Sequence, residues 1–205
     1  MRKKIFIVFE GIDGSGKTMH SLAIAKKIKS LRIPCVYIRE PGGSKEAENI
    51  RKFLLSKVNK NFGSLTDTLI YLAARNENFL TNIKKIHKKK IIICDRFTDS
   101  TIAYQHYGFG VKRKIIDLVN QEITGKIKPD FTFLLNVNIK ESFLRTSKKL
   151  KNNRYDKFSK FFYSKVQEGF LKISKINKRK YMVIDSGKKF SDNQKIIFNK
   201  INSLM

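Results

Sequence analysis

Residues 5–18 read IFIVFEGIDGSGKT. A β-branched and aromatic run leads into a glycine-rich turn, and Lys17-Thr18 opens a helical segment. Gly11, Gly16, Lys17 and Thr18 fit G-x-x-x-x-G-K-[ST] in the strand–turn–helix setting that gives this spacing its meaning. Glycine lets successive backbone N–H groups turn toward one anion. The helix that follows presents unpaired N–H groups and the positive end of its dipole to the same charge. Gly11, Ile12, Asp13, Gly14, Ser15, Gly16, Lys17 and Thr18 are therefore the candidate cradle for the phosphates of a nucleoside triphosphate. Lys17 supplies a mobile charge at the β- and γ-phosphates, and the Thr18 hydroxyl suits a Mg²⁺ ion.

A chain of 205 residues favours one domain with a core that needs no disulfides. Cys35 and Cys94 each lie in an apolar, strand-like run, which reads as buried free thiols in a reducing compartment. Arg2-Lys3-Lys4 is followed by only five apolar residues before Glu10, too few for a signal peptide. No apolar run approaches membrane-spanning length. The expectation is a cytoplasmic protein with no membrane partner.

The net charge of +27 invites a nucleic-acid reading. Ten arginines stand against thirty-four lysines, and the chain is also rich in Ile, Asn and Phe. An A/T-rich coding sequence produces that joint bias, and such lysines scatter over solvated faces. A specific nucleic-acid surface would cluster and favour arginine. The expectation is no specific nucleic-acid partner.

Strand-like runs at Ile5–Glu10, Cys35–Arg39, Ile91–Asp95, Phe131–Val137 and Tyr181–Asp185 alternate with helical spacing, as in Leu65, Leu69, Leu72, Ala73, Leu80 and Ile83. Near-continuous apolar strands separated by helices predict an α/β fold, a five-stranded parallel sheet with helices on both faces. Ligands then gather at the carboxyl ends of the strands, where the glycine loop already lies. The polar stretch Thr146–Lys160 reads as a mobile loop.

Further clusters fall at those strand ends. Arg39-Glu40-Pro41-Gly42-Gly43 follows the second strand. Asp95-Arg96-Phe97 follows the third, with Ser100, Thr101, Tyr104 and Gln105 spaced along the next helix. Tyr71 and Arg75 lie one turn apart on a long helix. Singly, each has a structural explanation: a turn, a local ion pair, core packing. Their assembly around one phosphate loop favours function.

The combination GIDGSGKT, REPGG, YLAAR and DRFTDSTIAYQ resembles the bacterial thymidylate kinase family, from Ile5 to about Phe170 and including PDFTFLL at Pro129–Leu135. The resemblance implies a P-loop nucleoside monophosphate kinase fold, one domain over residues 1–205 with a basic lid at about 145–156. It also implies ATP-dependent phosphorylation of dTMP to dTDP with Mg²⁺, usually by a homodimer. No general base is needed for an acceptor phosphate whose second pKa is about 6. The task is to offset repulsion between two polyanions and the charge on the transferring group.

On this resemblance Lys17, Arg96, Asp95 and Arg145 are the candidate catalytic residues, and Thr18 and Asp95 the candidate Mg²⁺ ligands. Asp13 is expected at the 3′-hydroxyl of dTMP, Tyr104 at the 2′ side, and Arg39 or Arg51 at its phosphate, with Pro41 nearby. Tyr71 is expected to stack on thymine, Arg75 to donate to its O4, and Thr101 or Gln105 to accept from N3–H. Because the loop carries Gly14-Ser15 and no arginine, Arg145 is expected to deliver charge on lid closure, with Lys149 as auxiliary and Arg154 as the alternative. The chain departs from the family pattern at Asn136, at Phe109 in HYGFG, and at Asn152-Asn153. His20, His87 and His106 have no ligand spacing, so no zinc is expected. Two alternatives remain: a P-loop kinase for another deoxynucleotide or deoxynucleoside, and a basic, nucleotide-dependent binding protein.

Overall fold

The computed structural model describes residues 4–56, 62–147 and 158–205. The apolar runs form five strands, β1 (Phe6–Glu10), β2 (Cys35–Arg39), β3 (Ile91–Asp95), β4 (Phe131–Asn136) and β5 (Tyr181–Asp185). All pair in parallel in the order β2-β3-β1-β4-β5, with Phe6 opposite Ile92 and Ile7 opposite Phe131. Successive side chains of a strand point to opposite faces, and both faces are covered here. Ile5, Ile7 and Phe9 pack with Ile24 and Ile28 of α1 (Lys17–Ser30) and with Ile197 and Ile201 of α9 (Phe190–Leu204). Phe6 and Val8 face the other way, into a cluster with Phe79 and Ile83. On β4, Leu134 packs with Val166 and Phe170 of α8 (Lys160–Ile176).

The second strand leads to α2 (Lys45–Leu55), whose first turn is capped by Ser44 Oγ accepting from the Ala47 amide. Helix α3 (Ser64–Asn78) runs through a π-helical turn at Phe79–Ile83 into the short α4 (Lys84–Ile86). After β3 the chain forms α5 (Thr98–Thr101) and then π-helix over Ile102–Gly108. α6 (Arg113–Thr124) precedes β4, and α7 (Ile139–Ser147) follows it. The expected strands match to within one residue; β1 starts at Phe6 rather than Ile5, and β4 ends at Asn136 rather than Val137. Cys35 and Cys94 are buried free thiols, both pushed above the ordinary thiol range by burial. No helix among the described residues is long and apolar enough to cross a membrane.

Candidate active site

The glycine loop joins β1 to α1 at the carboxyl end of the sheet. Gly11 (φ 141°) and Gly14 (φ 75°) hold conformations that L side chains rarely adopt. A Cβ on Gly11 would sit 2.5 Å from the Leu135 carbonyl oxygen, and one on Gly14 2.6 Å from that of Ser142. No side chain caps α1, so its first-turn N–H groups stay available to an anion.

Each carbonyl of the loop from Gly11 to Ser15 accepts a hydrogen bond. Arg96 Nη1 donates to Gly11 O (3.1 Å), and Lys17 Nζ to Ile12 O (3.2 Å). Ser142 Oγ donates to Asp13 O (2.6 Å), Arg145 Nη1 to Gly14 O (3.2 Å) and Ser186 Oγ to Ser15 O (2.8 Å). Fixing these carbonyls fixes the peptide planes, and so where the loop N–H groups point. Ser142 and Ser186 were not anticipated; a lone serine 129 or 171 residues from its partner leaves no local pattern.

Arg96 has φ 70°, uncommon for a residue with a side chain. Its Nη2 donates to Asp13 Oδ1 (2.6 Å) and Tyr104 OH (3.2 Å), and its Nη1 also to Ser100 Oγ (3.0 Å). The Asp13 carboxylate further accepts from the hydroxyls of Tyr104 (3.1 Å) and Tyr163 (3.2 Å), with Lys17 Nζ at 3.6 Å. Burial alone would raise Asp13, but Arg96 and Lys17 hold it well below the usual carboxylate range. Lys17 is pushed down by burial and then by the charge of Arg96.

Glu10, the charged residue that ends β1, supports this turn. Its Oε1 accepts from the amides of Phe97 (2.7 Å) and Ser100 (3.2 Å), and its Oε2 from Ser100 Oγ (2.6 Å). Ser100 thus donates to Glu10 while accepting from Arg96. Burial and then the Asp99 charge push Glu10 up to about 8.

Asp95 Oδ2 accepts from Thr18 Oγ1 (2.5 Å) and Tyr37 OH (3.3 Å). Its Oδ1 is buried and has no hydrogen-bond partner. A hydroxyl and a carboxylate with an open oxygen fit an octahedral ion that retains most of its water. No group of three or more His, Cys, Asp or Glu among the described residues forms a cation cage.

Arg39 is bound by both oxygens of Glu48 (2.9 and 3.0 Å), so its charge is already matched. Arg51 gives Nη1 to the Pro41 carbonyl (2.8 Å) and is depressed first by burial, then by the nearby charge of Arg39, with Arg96 contributing. These three guanidiniums therefore share one field. Tyr71 is half-buried and close enough to Arg51 to act on it.

Arg75, expected to donate to thymine O4, is enclosed by protein acceptors. It is buried, with Nε on Glu40 Oε2 (2.7 Å), Nη1 on Thr101 Oγ1 (2.7 Å) and Asn120 Oδ1 (2.8 Å), and Nη2 on Phe97 O (2.9 Å). A buried guanidinium must satisfy its donors, and four of its five N–H bonds go to protein. Gln105 is 3% exposed, yet its amide makes no hydrogen bond to a described residue.

Arg145, expected to deliver charge on lid closure, is held by the protein. It lies on α7, bonded to Gly14 O, Ser186 O (2.8 Å) and Glu141 Oε1 (2.5 Å). The i, i+4 spacing of Glu141 and Arg145 brings the pair together on the helix. The rest of the expected lid, with Lys149, Asn152-Asn153 and Arg154, lies outside the described residues. Asn136 pairs with the amide of Gln167, and Phe109 packs on Phe158 and Phe162.

A phosphate loop at the carboxyl end of a parallel sheet, faced by converging guanidiniums, defines a P-loop phosphotransferase. The thymidylate kinase family model matches residues 9–197, and the chain belongs to that family. It is 41% identical to a thymidylate kinase of Ehrlichia chaffeensis, over 88% of this chain and 87% of the relative. A thymidylate kinase of Pelotomaculum thermopropionicum is 35% identical, over 89% and 86%. The crystal structure of thymidylate kinase from Ehrlichia chaffeensis superposes with a TM-score of 0.79 at 33% identity, covering 98% of this chain and 99% of that one.

Proposed function

We propose that the chain, as one kinase domain over residues 1–205, transfers the terminal phosphoryl group of Mg-ATP in line to dTMP, giving dTDP for dTTP synthesis. The observation that carries this reading is the position of Arg96. It is bonded to Gly11 and Asp13 of the donor loop, and it is near enough to Arg51 to help depress it. A guanidinium there offers a planar fork to oxygens of both phosphates.

Each residue then has a physical task. The loop amides from Gly11 to Thr18 and the Lys17 ammonium hold the donor phosphates. Mg²⁺, when bound at Thr18 and Asp95, neutralises charge on the donor oxygens. Arg96 and Arg51 draw the acceptor phosphate in, with Arg39 held nearby by Glu48. Asp13, kept ionised by Arg96 and Lys17, accepts from the sugar 3′-hydroxyl, and Tyr104 closes the 2′ side against ribose. Tyr71 stacks on the base. Gln105 and the Thr101 hydroxyl meet the thymine edge, while Arg75 fixes Thr101 and retains one N–H for O4. Arg145 braces the loop and adds positive charge on the donor side.

A homodimer is part of the proposal. Ile50, Phe53, Leu69, Ile70 and Ala73 line an apolar groove between α2 and α3, and Leu65 and Leu118 are exposed. A cytoplasmic location fits the two reduced, buried thiols.

A coupled ADP-release assay across dTMP, dUMP, dCMP, dGMP, AMP and thymidine tests the reading. Turnover should centre on dTMP; preference for another acceptor would replace it with the other-kinase alternative.

A further inference from the structure

Twelve of the thirty-four lysines, with two arginines, gather at one pole of the sheet, while the rest scatter as expected. In a parallel sheet every connection into a strand lies at the same end, opposite the phosphate loop. The connections here are residue 4 with 5, and residues 29–34, 84–90, 125–130 and 175–180; together they hold fourteen basic residues and one acidic, Asp130. Lys29 and Arg32 precede β2. Lys84, Lys85, Lys88, Lys89 and Lys90 precede β3. Lys4 precedes β1, Lys126 and Lys128 precede β4, and Lys175, Lys178, Arg179 and Lys180 precede β5. All but Lys4 are exposed. The opposite pole mixes both signs, with Glu10, Asp13, Glu40, Asp95 and Asp185 beside Lys17, Arg39, Arg51, Arg96 and Arg145.

The helix dipole explains part of this. Lys29, Lys84, Lys85 and Lys175 lie in last turns, where positive charge offsets the carbonyl end. The others lie beyond the ends of the α-helices.

The strand order arranges these charges in a row. Ile91 N donates to Pro34 O (2.9 Å), Ile92 N to Ile5 O (2.9 Å), and Asp130 N to Phe6 O (2.8 Å), so the approaches to β2, β3, β1 and β4 lie side by side. Thr132 is in register with Tyr181, which adds the approach to β5. Five strands at about 4.8 Å spacing make a row of roughly 19 Å. A duplex carries one charge per ~1.7 Å of axis along a line and releases condensed counterions on neutralisation. A membrane surface would ask for an apolar patch to insert, but the exposed Leu31 and Ile176 stand at opposite ends of the row. No exposed large aromatic lies in these connections to stack on unpaired bases.

We infer that this pole is a sequence-independent docking surface for the phosphate backbone of double-stranded DNA, leaving the kinase site open on the opposite side. DNA is chosen over RNA on the proposed substrate, a thymine deoxynucleotide; the row itself stands without it.

The test uses fluorescence anisotropy of the full chain with a labelled 20-base-pair duplex of arbitrary sequence, from 50 to 200 mM KCl. Five or more neutralised phosphates, at about 0.9 each, give a log–log slope of about −4.5 or steeper, a loss of roughly 500-fold over that range. Replacing Lys89, Lys90, Lys126 and Lys128 by Gln should weaken binding at 100 mM at least tenfold and flatten the slope by up to about 3.6. Replacing Lys26, Lys52, Lys114 and Lys195 by Gln, an equal charge loss elsewhere, should change it less than threefold. Both variants should keep dTMP turnover, which separates this surface from the kinase site. Equal losses in the two variants would show bulk charge only and overturn the inference. So would tighter binding of an RNA duplex of the same sequence, or retention on phosphatidylserine-containing vesicles without duplex binding.

Discussion

The hydroxyl of Thr18 donates to Asp95 Oδ2 at 2.5 Å, while Oδ1 of the same carboxylate is buried without a partner. One residue opens α1 and the other ends β3, so the sheet brings together groups 77 positions apart. An unpaired buried carboxylate oxygen is costly unless an ion or its water meets it. Asp95→Asn should therefore raise the Mg²⁺ concentration for half-maximal rate at least tenfold and lower kcat by about 10², with an unchanged melting temperature. A Mg²⁺ titration checks this, and unaltered Mg²⁺ dependence would contradict it.

Ser142 and Ser186 hold the carbonyls of Asp13 and Ser15. Each bond should be worth about 1 kcal/mol, and its loss lets a loop peptide turn away from the phosphates. Ser142→Ala and Ser186→Ala should each raise KM for ATP by about fivefold and leave KM for dTMP within twofold. Initial-rate kinetics with each substrate varied in turn reads that split.

Arg75 and Gln105 should separate stability from specificity. Arg75→Leu strands the buried Glu40 carboxylate, which should cost about 3–5 kcal/mol in urea unfolding. Gln105→Leu removes an amide that pairs with nothing described, so stability should hold while KM for dTMP rises at least tenfold.

The raised value of Glu10 sets a pH dependence. A carboxylate pushed up in the fold keeps its proton after the unfolded chain has released it, so stability falls as pH rises from about 4.5 toward 8. Glu10→Gln should remove most of that decline. Burial also pushes Asp99 up, which leaves a residual slope. Urea midpoints at pH 5.5 and 8.0 should converge in the variant and diverge in the parent chain. Parallel pH behaviour would contradict the assignment.

The architecture was legible because the sheet is parallel and covered on both faces. Runs such as IIICD at 91–95 are buried throughout and stand out as apolar blocks. The phosphate loop was legible because its chemistry is local, with every residue within eight positions. The π-helix at Ile102–Gly108 was not, and it divides residues that helical spacing grouped. Thr101 turns to Arg75, while Tyr104 turns to Asp13. Glu10, Tyr163, Ser142 and Ser186 act through partners 87 to 171 residues away, beyond any spacing rule. The one available signal was Glu10 itself, a charge ending an otherwise apolar buried strand. The enclosure of Arg75 was not legible for the converse reason: its place on a helix gives no hint that Glu40, Asn120 and Phe97 surround it.

Transfer of label from γ-phosphate-labelled ATP to dTMP, in a single turnover with Mg²⁺, tests the central claim most directly. The parent chain should move the label into dTDP, and Lys17→Ala should slow that step by at least ~10² while retaining the fold by circular dichroism. With dCMP, whose edge reverses donor and acceptor, transfer should be at least ~10² slower. Label appearing only as inorganic phosphate, equal transfer to dCMP, or full transfer by Lys17→Ala would contradict it.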